Sequence, residues 1–365
     1  MKYVDEFRNA RLVHKLAARI KAINPGHNLN IMEVCGTHTQ NFCRFGLAKL
    51  LPKNIRLISG PGCPVCVSPQ GYIDTAIELA KNKDLLIVTF GDMLAVPGSC
   101  SSLEKERAKL GNVRVVYSPL DALSIARANP GKKIVFLAVG FETTAPAIAL
   151  SILEAKKEKL KNIFFLLSLK LIPAAMRYLL LDKRIRIDGF LCPGHVAAVM
   201  GTKEYAFVPK KYKIPCCVAG FEPVDILESI YMILEQLALG KAGVANQYTR
   251  VVTATGNLKA QGIIRRVFRT ADSEWRGLGI IAQSGLELKN EFSDFDASRI
   301  FPAASPRVKI KAAGQCRCSD VLKGLILPLG CPLFAKKCQP EHPLGPCMVS
   351  GEGACNAYYK FRQQV

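Results

Sequence analysis

The sequence predicts an α/β fold with two similar parallel-sheet lobes and a small Cys-rich domain at its C-terminal end. Three observations lead to this prediction. Short apolar runs alternate with helix-like segments from residue 29 to residue 239, which is the rhythm of parallel strands covered by helices. The tripeptide Gly-Phe-Glu occurs at 140–142 and at 220–222, each time between an apolar run and a helix start. Six of the 14 cysteines lie in the last fifty residues.

The first lobe is assigned to residues 1–120. Apolar side chains at helical spacing predict an amphipathic helix over residues 5–22, which ends at the Asn-Pro-Gly turn. The segments that follow are predicted, in order, as strand 29–34, helix 40–51, strand 55–60, helix 73–82 and strand 84–90.

The second lobe is assigned to residues 121–245 and repeats this rhythm. Its predicted segments are a strand from 132, a helix around 145–160, strand 162–169, helix 173–181, strand 187–195, strand 214–225 and helix 226–239. From residue 246 the pattern breaks into shorter segments. Residues 246–365 are therefore assigned to a third domain, whose Cys-, Pro- and Gly-rich end is expected to depend on a metal centre for its order.

The charge of the chain is strongly positive. Lys and Arg number 50 against 29 for Asp and Glu, a net charge of +21, and 49% of the residues are hydrophobic, which excludes a disordered chain. The basic residues are spread out, and no aromatic-interleaved basic stretch predicts a nucleic-acid groove. We interpret them as a solvated surface; an acidic protein partner or an anionic small ligand is the functional alternative.

The sequence also predicts where the protein is found. Its first fifteen residues lack the apolar core of a signal peptide, and the apolar runs 134–141 and 163–169 are too short to span a membrane. We therefore expect a cytoplasmic protein without a membrane partner. In that compartment, 14 cysteines indicate metal or redox chemistry rather than structural disulfides.

Three cysteines directly follow predicted strands. Cys35 follows the first strand, and Cys63 and Cys66 follow the second in the string Gly-Pro-Gly-Cys-Pro-Val-Cys. Because ligands bind beyond the carboxyl ends of parallel strands, we expect these thiols to meet at one edge. A C-x-x-C pair binds a soft metal or cycles between dithiol and disulfide, and a third thiolate gives a site suited to iron. His38 can donate a proton, hydrogen-bond a ligand or orient the Cys35 thiolate.

The other cysteines in the first 300 residues lack such a context and are interpreted as packing residues: Cys43, Cys100, Cys192, Cys216 and Cys217. His195, in Cys-Pro-Gly-His at a strand end, is left open between a structural and a functional role. Trp275 is interpreted as structural.

The C-terminal cysteines form the densest cluster: Cys316, Cys318, Cys331, Cys338, Cys347 and Cys355. A 4Fe-4S cluster takes four thiolates, so six cysteines leave two that can form a redox-active pair beside it. Zinc is the alternative, but the paired C-x-x-C spacing of zinc ribbons is absent from this stretch. We therefore prefer an iron–sulfur centre.

Six motifs and the Cys-rich stretch occur together in one known family: MEVCGTHT (32–39), GPGCPVCVSPQGYID (60–74), FGDMLAVPGS (90–99), VGFETTAP (139–146), CPGHVAAVMG (192–201) and AGFEPVDIL (219–227). On these motifs the chain resembles, over nearly its whole length, the HypD family of hydrogenase maturation proteins. The resemblance implies a scaffold on which the Fe(CN)2CO group of nickel–iron hydrogenases is assembled. It also implies two partners, a HypC-type chaperone and a HypE-type cyanide donor.

The resemblance further implies site residues and cofactors. Cys35, Cys63 and Cys66 would hold or handle the iron, with His38 as a neighbouring functional residue. A 4Fe-4S cluster beside a cysteine pair, similar to that of ferredoxin–thioredoxin reductase, would lie in the C-terminal part and supply electrons. The sequence does not say which four cysteines are ligands. We assign four of them as ligands, namely Cys316, Cys331, Cys338 and Cys355, and the remaining two, Cys318 and Cys347, as the redox pair. Cys316 and Cys318 are placed in different groups because side chains one residue apart in an extended segment splay, so that one can face the cluster and the other away from it.

The expected function is therefore maturation of nickel–iron hydrogenase in a protein complex, mainly as a scaffold with redox activity. The sequence contains no P-loop, so nucleotide hydrolysis is expected in a partner. Two rival functions stay open. One is a cluster-dependent thiol–disulfide reductase with Cys63 and Cys66 as its dithiol, and the other is a basic, nucleic-acid-associated iron–sulfur protein.

Overall fold

Two β-sheets organise the part of the chain that the computed structural model describes, which comprises residue 2, residues 4–302 and residues 316–363. Their strands, in chain order, are β1 (Leu29–Glu33), β2 (Ile55–Ser59), β3 (Leu85–Thr89), β4 (Val113–Val115), β5 (Lys133–Gly140), β6 (Ile163–Lys170), β7 (Gly189–Pro193), β8 (Cys216–Ala219), β9 (Val244–Asn246), β10 (Phe268–Trp275) and β11 (Gly279–Leu288).

Helices connect and cover these strands: α1 (Ala10–Ile23), α2 (Gly36–Arg44), α3 (Pro64–Val67), α4 (Gln70–Ala80), α5 (Leu103–Leu110), α6 (Pro119–Ala128), α7 (Ala145–Lys157), α8 (Ile172–Leu179), α9 (Gly194–Met200), α10 (Pro223–Ala238), α11 (Leu258–Val267), α12 (Ala297–Ile300), α13 (Cys318–Leu322) and α14 (Ala354–Lys360). Among the shorter turns are 3-10 helices at Asp5–Arg8, Leu47–Leu50 and Pro346–Met348. No helix in the described ranges is long and apolar enough to cross a membrane.

The two sheets confirm the predicted α/β class. The first has the order β2-β1-β7-β8-β9, and all its pairings are parallel. The second has the order β10-β11-β6-β5-β3-β4. It is parallel from β6 to β4, and β11 and β10 add an antiparallel edge.

The sheets do not follow the predicted ranges 1–120 and 121–245, because each sheet takes strands from both. Strands β1 and β2 join β7 in the first sheet, whereas β3 and β4 join β5 in the second. A division into consecutive lobes therefore does not describe the strand pairing. Apolar periodicity identifies a strand but says nothing about which distant strand it pairs with.

The predicted third domain, 246–365, also divides differently. Its β10 and β11 form a long hairpin that extends the second sheet, and its residues 303–315 lie outside the described residues. The hairpin was not predicted because β10 is buried only at its two ends, Phe268 and Trp275, and is mostly polar between them, so it forms no apolar run. At its end, Trp275 is fully buried, stacks on Phe141 and donates from Nε1 to Ser284 Oγ at 2.8 Å.

Local signals explain where several helices begin. The Asn9 side chain accepts from the Leu12 amide at the start of α1, and Ser118 and Asp121 form a capping box at the start of α6. The buried face of α1 packs against α10, as its helical spacing predicts: Val13, Leu16, Ala17 and Ile20.

Residues 316–363, called here the C-terminal segment, belong to the main hydrophobic core. Cys338, Cys347, Met348 and Tyr358 join the cluster that also contains strands β1, β2 and β7. Helix α14 packs against α2, which directly follows β1. The C-terminal segment therefore lies over the carboxyl edge of the first sheet, where the predicted iron site begins.

Candidate thiol and iron site

Two of the predicted thiols lie at helix starts just beyond neighbouring strands. Cys35 is the N-cap of α2, and Cys63 is the N-cap of α3. Since Glu33 at the end of β1 is in register with Ser59 at the end of β2, the two loops leave the sheet side by side. The structure thus brings the Cys35 loop and the C-x-x-C loop together at the carboxyl edge of the sheet.

Glycine allows the two loops to approach closely. The Gly36 amide donates to the Gly62 carbonyl at 3.0 Å. A Cβ atom on Gly62 would lie 2.3 Å from the Cys35 nitrogen and 2.4 Å from the Val34 carbonyl carbon. Any side chain larger than hydrogen at position 62 would therefore push the C-x-x-C loop away from Cys35.

Cys63 and Cys66 form a disulfide across the first turn of α3. Their Cα atoms are 5.3 Å apart, and the Cys66 amide donates to Cys63 Sγ at 3.2 Å. Both side chains are buried. The pair is therefore in one of the two states that the C-x-x-C motif allows, and it must be reduced before its sulfurs can bind a metal.

Cys35 is a buried free thiol. Burial raises its pKa to about 12; the nearby Glu352 charge adds to this effect, while hydrogen bonding to Thr37 opposes it. The thiol is therefore protonated at neutral pH. Because metals bind the thiolate, uptake of iron at Cys35 must release a proton.

His38 is buried one turn into α2. Its Nε2 lies 2.9 Å from the Gly220 carbonyl, which can only accept, so Nε2 carries the proton. Its Nδ1 is buried without a hydrogen-bond partner in the described residues. Burial lowers the pKa of His38 to about 4, so the ring is neutral at pH 7. Nδ1 is then an acceptor, and a proton-donor role for His38 requires prior protonation.

Phe221 connects His38 with His195. Its ring lies between the two imidazoles, with ring centroids 4.8 Å from His38 and 3.9 Å from His195, and both pairs are stacked. Phe221 is the centre of the second Gly-Phe-Glu motif. The tripeptide was noted as a repeat and, within AGFEPVDIL, as part of a family motif, but Phe221 was not predicted as a site residue; its position at a strand end was the signal for such a role.

The first Gly-Phe-Glu motif places another missed residue nearby. Glu142 is buried just beyond β5, with Oε1 accepting from the Ile172 amide at 2.9 Å and Oε2 without a partner in the described residues. Burial raises the pKa of Glu142 to about 8. The buried Tyr205 hydroxyl also lacks a partner in the described residues, and it interacts electrostatically with Glu142 and Cys35.

The structure gathers the cysteines of the C-terminal segment. Cys318 and Cys347, the predicted redox pair, lie close enough for each thiol to shift the pKa of the other, and Cys316 also acts on Cys318. Cys355, in α14, interacts electrostatically with four of the others: Cys316, Cys318, Cys331 and Cys338. All six are free thiols.

The implied iron–sulfur cluster can be tested against the side chains that are present to bind it. Cys338 and Cys355 each lie near other thiols of the segment, Cys316 and Cys331 among them, and thiolates are the ligands that such a cluster takes. In residues 4–302 and 316–363, no three His, Cys, Asp or Glu side chains are arranged to hold a single metal ion. Cysteine is the residue type that holds such a cluster, and six free thiols are present here; the cluster itself and the assignment of its ligands stay predictions.

The C-terminal segment contacts both thiol loops of the first sheet. Thr37 Oγ1 donates to Glu352 Oε1 at 2.9 Å, and a Cβ on Gly36 would lie 2.2 Å from the Glu352 carbonyl oxygen. On the other loop, Cys66 Sγ lies 3.9 Å from the carbonyl oxygen of Pro346. Pro346 directly precedes Cys347, so the main chain beside one C-terminal thiol lies against the disulfide loop.

Comparison with known proteins identifies the family. The family model HypD, described as "Hydrogenase formation hypA family", matches residues 11–362. The chain is 47% identical to the hydrogenase maturation factor HypD of Azotobacter vinelandii over 373 residues, covering 100% of this chain and 98% of that protein. It is 44% identical to the hydrogenase maturation factor HypD of Escherichia coli over 372 residues, covering 100% and 99%. The chain therefore belongs to the HypD family of hydrogenase maturation factors, as its motifs indicated.

Proposed function

We propose that this chain is the scaffold on which the Fe(CN)2CO group of nickel–iron hydrogenases is assembled. Iron is the cargo, and the thiolates of Cys35, Cys63 and Cys66 hold it at the carboxyl edge of the first sheet. Thiolates are soft ligands, and three of them leave coordination positions for cyanide and CO.

One observation supports this proposal: the C-terminal segment, which carries a second group of thiols, contacts the loop of the Cys63–Cys66 disulfide. Cys66 Sγ is 3.9 Å from the carbonyl oxygen of Pro346, and the next residue is Cys347, whose thiol lies near that of Cys318. A scaffold that must reduce its own disulfide before each loading requires such a neighbour.

We assign the reduction of the Cys63–Cys66 disulfide to the dithiol of Cys318 and Cys347. A Cys347 thiolate attacks one sulfur of the disulfide and releases the other as a thiolate, which takes up the proton that Cys347 lost. The Cys318 thiolate then displaces the second sulfur from the mixed disulfide. The exchange yields two thiols at Cys63 and Cys66 and a disulfide between Cys318 and Cys347.

The C-terminal thiols that remain are assigned to a 4Fe-4S cluster, with the ligands Cys316, Cys331, Cys338 and Cys355. When bound, such a cluster supplies the electrons that return the Cys318–Cys347 disulfide to the dithiol. Cys316 and Cys318 are one residue apart, and the Cys318 thiol raises the pKa of Cys316, so an assigned ligand lies beside a member of the pair.

The partners belong to the same proposal. We expect a HypC-type chaperone to bind at the carboxyl edge near Cys35 and a HypE-type protein to deliver cyanide. The net charge of +21 favours acidic surfaces on these partners. The cytoplasm is the expected compartment, because the C-x-x-C thiols must be kept reducible.

Infrared spectroscopy on the anaerobically purified complex with the small chaperone tests the scaffold. We expect bands of iron-bound cyanide and CO in the wild-type complex and their loss in Cys35→Ser. The control is Cys100→Ser, which removes an exposed thiol outside the proposed site and should leave the bands unchanged. A wild-type complex without such bands would overturn the scaffold proposal.

The Cys63–Cys66 disulfide favours one alternative, a cluster-dependent thiol–disulfide reductase. In that function Cys63 and Cys66 are the active dithiol, and Cys35 is dispensable. Turnover of a small disulfide substrate by Cys35→Ser at the wild-type rate, without cyanide or CO bands in either protein, would favour the reductase.

A further inference from the structure

Arg276 lies in the turn between β10 and β11, next to the disulfide loop. Its amide donates to the Val67 carbonyl at 2.8 Å, and its Nη2 donates to Gln70 Oε1 at 2.5 Å. Val67 directly follows Cys66. The tip of the hairpin is therefore fixed against the C-x-x-C loop by a main-chain and a side-chain hydrogen bond.

The same turn contacts the C-terminal thiols. Ser319, which follows Cys318, donates from its hydroxyl to the Gly277 carbonyl at 2.8 Å. Burial lowers the pKa of the Arg276 guanidinium, and three nearby thiols oppose this effect, in decreasing order Cys318, Cys347 and Cys316. The turn that carries Arg276 therefore contacts both the loop of the Cys63–Cys66 disulfide and the start of α13, which contains Cys318.

The buried guanidinium of Arg276 is not fully hydrogen-bonded within the described residues. Its Nη1 is buried and has no hydrogen-bond partner in the described residues. The nearby Asp74 carboxylate already accepts from the Ser99 amide and hydroxyl, at 2.6 Å each. A buried cation with an unpaired N–H is costly unless an anion lies beside it. Of the thiols near it, Cys316 is an assigned cluster ligand and supplies such an anion once it is deprotonated; Cys318 and Cys347 do so whenever one of them is a thiolate.

We propose that Arg276 is the counter-cation of the C-terminal thiol site and sets how readily an iron–sulfur cluster held there accepts an electron. This inference rests on the proposed function, which places the cluster at these thiols. Arg276 acts as a positioning residue through its charge and its free Nη1–H, and it binds no iron itself. Charge and hydrogen bonds near the sulfurs are known determinants of cluster potential.

The sign of the effect follows from electrostatics. Reduction adds one negative charge to a site that is already anionic, and a neighbouring cation stabilises the reduced form more than the oxidised form. Loss of the Arg276 charge should therefore make the cluster harder to reduce. We expect the ratio of reduced to oxidised cluster, at one ambient potential, to fall by about three- to tenfold in Arg276→Gln; a tenfold fall corresponds to about 59 mV for a one-electron couple.

The experiment uses the full chain, reconstituted anaerobically with Fe2+ and sulfide. Iron and sulfide per chain are counted, and the cluster is titrated with dithionite and followed by electron paramagnetic resonance. The variants are Arg276→Gln, Arg276→Lys, which keeps the charge, and Arg269→Gln. Arg269 is an exposed residue of the same hairpin paired with Glu287, so it serves as the matched control.

The possible outcomes distinguish the role inferred for Arg276 from the proposed function of the chain. A normal iron count with a more negative potential in Arg276→Gln, and near-wild-type values in Arg276→Lys and Arg269→Gln, supports the inference. Rescue of cluster uptake by Arg276→Lys supports it too, should Arg276→Gln bind none. Equal potentials in the wild type and Arg276→Gln, or equal defects in Gln and Lys variants, overturn the inference and leave the scaffold intact. A wild-type chain that binds no cluster overturns both the inference and the electron source in the proposed function.

Discussion

Glu142 is a buried carboxyl group whose protonation links stability to pH. Burial raises its pKa from the ordinary 4.5 to about 8. Between these values the folded chain holds a proton that the unfolded chain has lost. Since stability falls with rising pH wherever the folded state binds more protons, this group stabilises the fold fully below about pH 4.5 and progressively less up to about pH 8.

We therefore predict that Glu142→Gln flattens the pH dependence of stability. Between pH 5.5 and 7.5 the wild type should lose about 2 kcal/mol of unfolding free energy relative to the variant. Urea unfolding at both pH values measures this difference. Glu154→Gln, at a half-buried position of α7 whose carboxylate pairs with Lys157, is the control and should retain the wild-type slope. Identical slopes for the wild type and Glu142→Gln would show that Glu142 is ionised in the fold.

Gly62 determines how closely the C-x-x-C loop approaches Cys35. Its absent Cβ would lie 2.3 Å from the Cys35 nitrogen, a backbone atom that cannot move aside. We predict that Gly62→Ala destabilises the chain by about 1–3 kcal/mol, as overpacking does. Thermal unfolding measures the loss.

The matched control for this change is Gly71→Ala, in α4. A Cβ at Gly71 meets nothing within 4 Å, and alanine favours a helix over glycine by up to about 1 kcal/mol. The control should be neutral or slightly stabilising. A Gly62→Ala chain as stable as the control would mean that the two loops have room to separate.

At the scale of elements, the contact between α2 and the C-terminal segment joins the two thiol groups. Gly36, the first residue of α2, packs against the Glu352 backbone, where a Cβ would lie 2.2 Å from its carbonyl oxygen. We predict that Gly36→Ala loosens the segment and speeds amide hydrogen exchange in residues 346–360. If the substitution lowers the free energy of local opening of this segment by about 1–3 kcal/mol, amide exchange should be about fivefold faster or more.

Gly262→Ala is the control for this prediction, since a Cβ there meets nothing within 4 Å. Exchange in residues 346–360 should be unchanged in the control. Unchanged exchange in Gly36→Ala as well would show that the C-terminal segment is held by its other contacts, such as the packing of α14.

Elements with strong local signals could be predicted from the sequence. Strands β1, β2 and β3 were found within one or two residues, because buried parallel strands form apolar runs. The two thiol loops were found because each follows such a strand. The β10–β11 hairpin was missed, since its alternating pattern is weak, although Trp-Arg-Gly-Leu-Gly between two such runs is a turn signal. Arg276 was missed with it, because its importance depends on contacts with segments far away in the chain.

At the scale of the whole molecule, the chain passes repeatedly from one sheet to the other. β2 belongs to the first sheet, β3 to the second, and β7 to the first again. Residues 1–120 therefore hold two strands of one sheet and two of the other, and each pair lacks its central neighbours. Such pairs leave most of their apolar faces uncovered.

We predict that a fragment of residues 1–120 does not fold alone. It should show no cooperative unfolding transition in urea, whereas the full chain should, because both sheets need strands from beyond residue 120. Far-UV circular dichroism measures both transitions. Cooperative unfolding of the fragment would show that the first two strands of each sheet form an independent unit.

Trp275 is the only tryptophan of the sequence, so its fluorescence can report whether the neighbouring thiols are oxidised or reduced. Trp275 is buried on Phe141 and directly precedes Arg276, whose amide is bonded to the disulfide loop. Its fluorescence therefore comes from one place, a strand end beside both thiol groups. We expect the emission to change when dithiothreitol reduces the wild-type chain and to stay constant in a Cys63→Ser, Cys66→Ser double variant. A single-wavelength signal would then follow the thiol state during cofactor assembly without any added label.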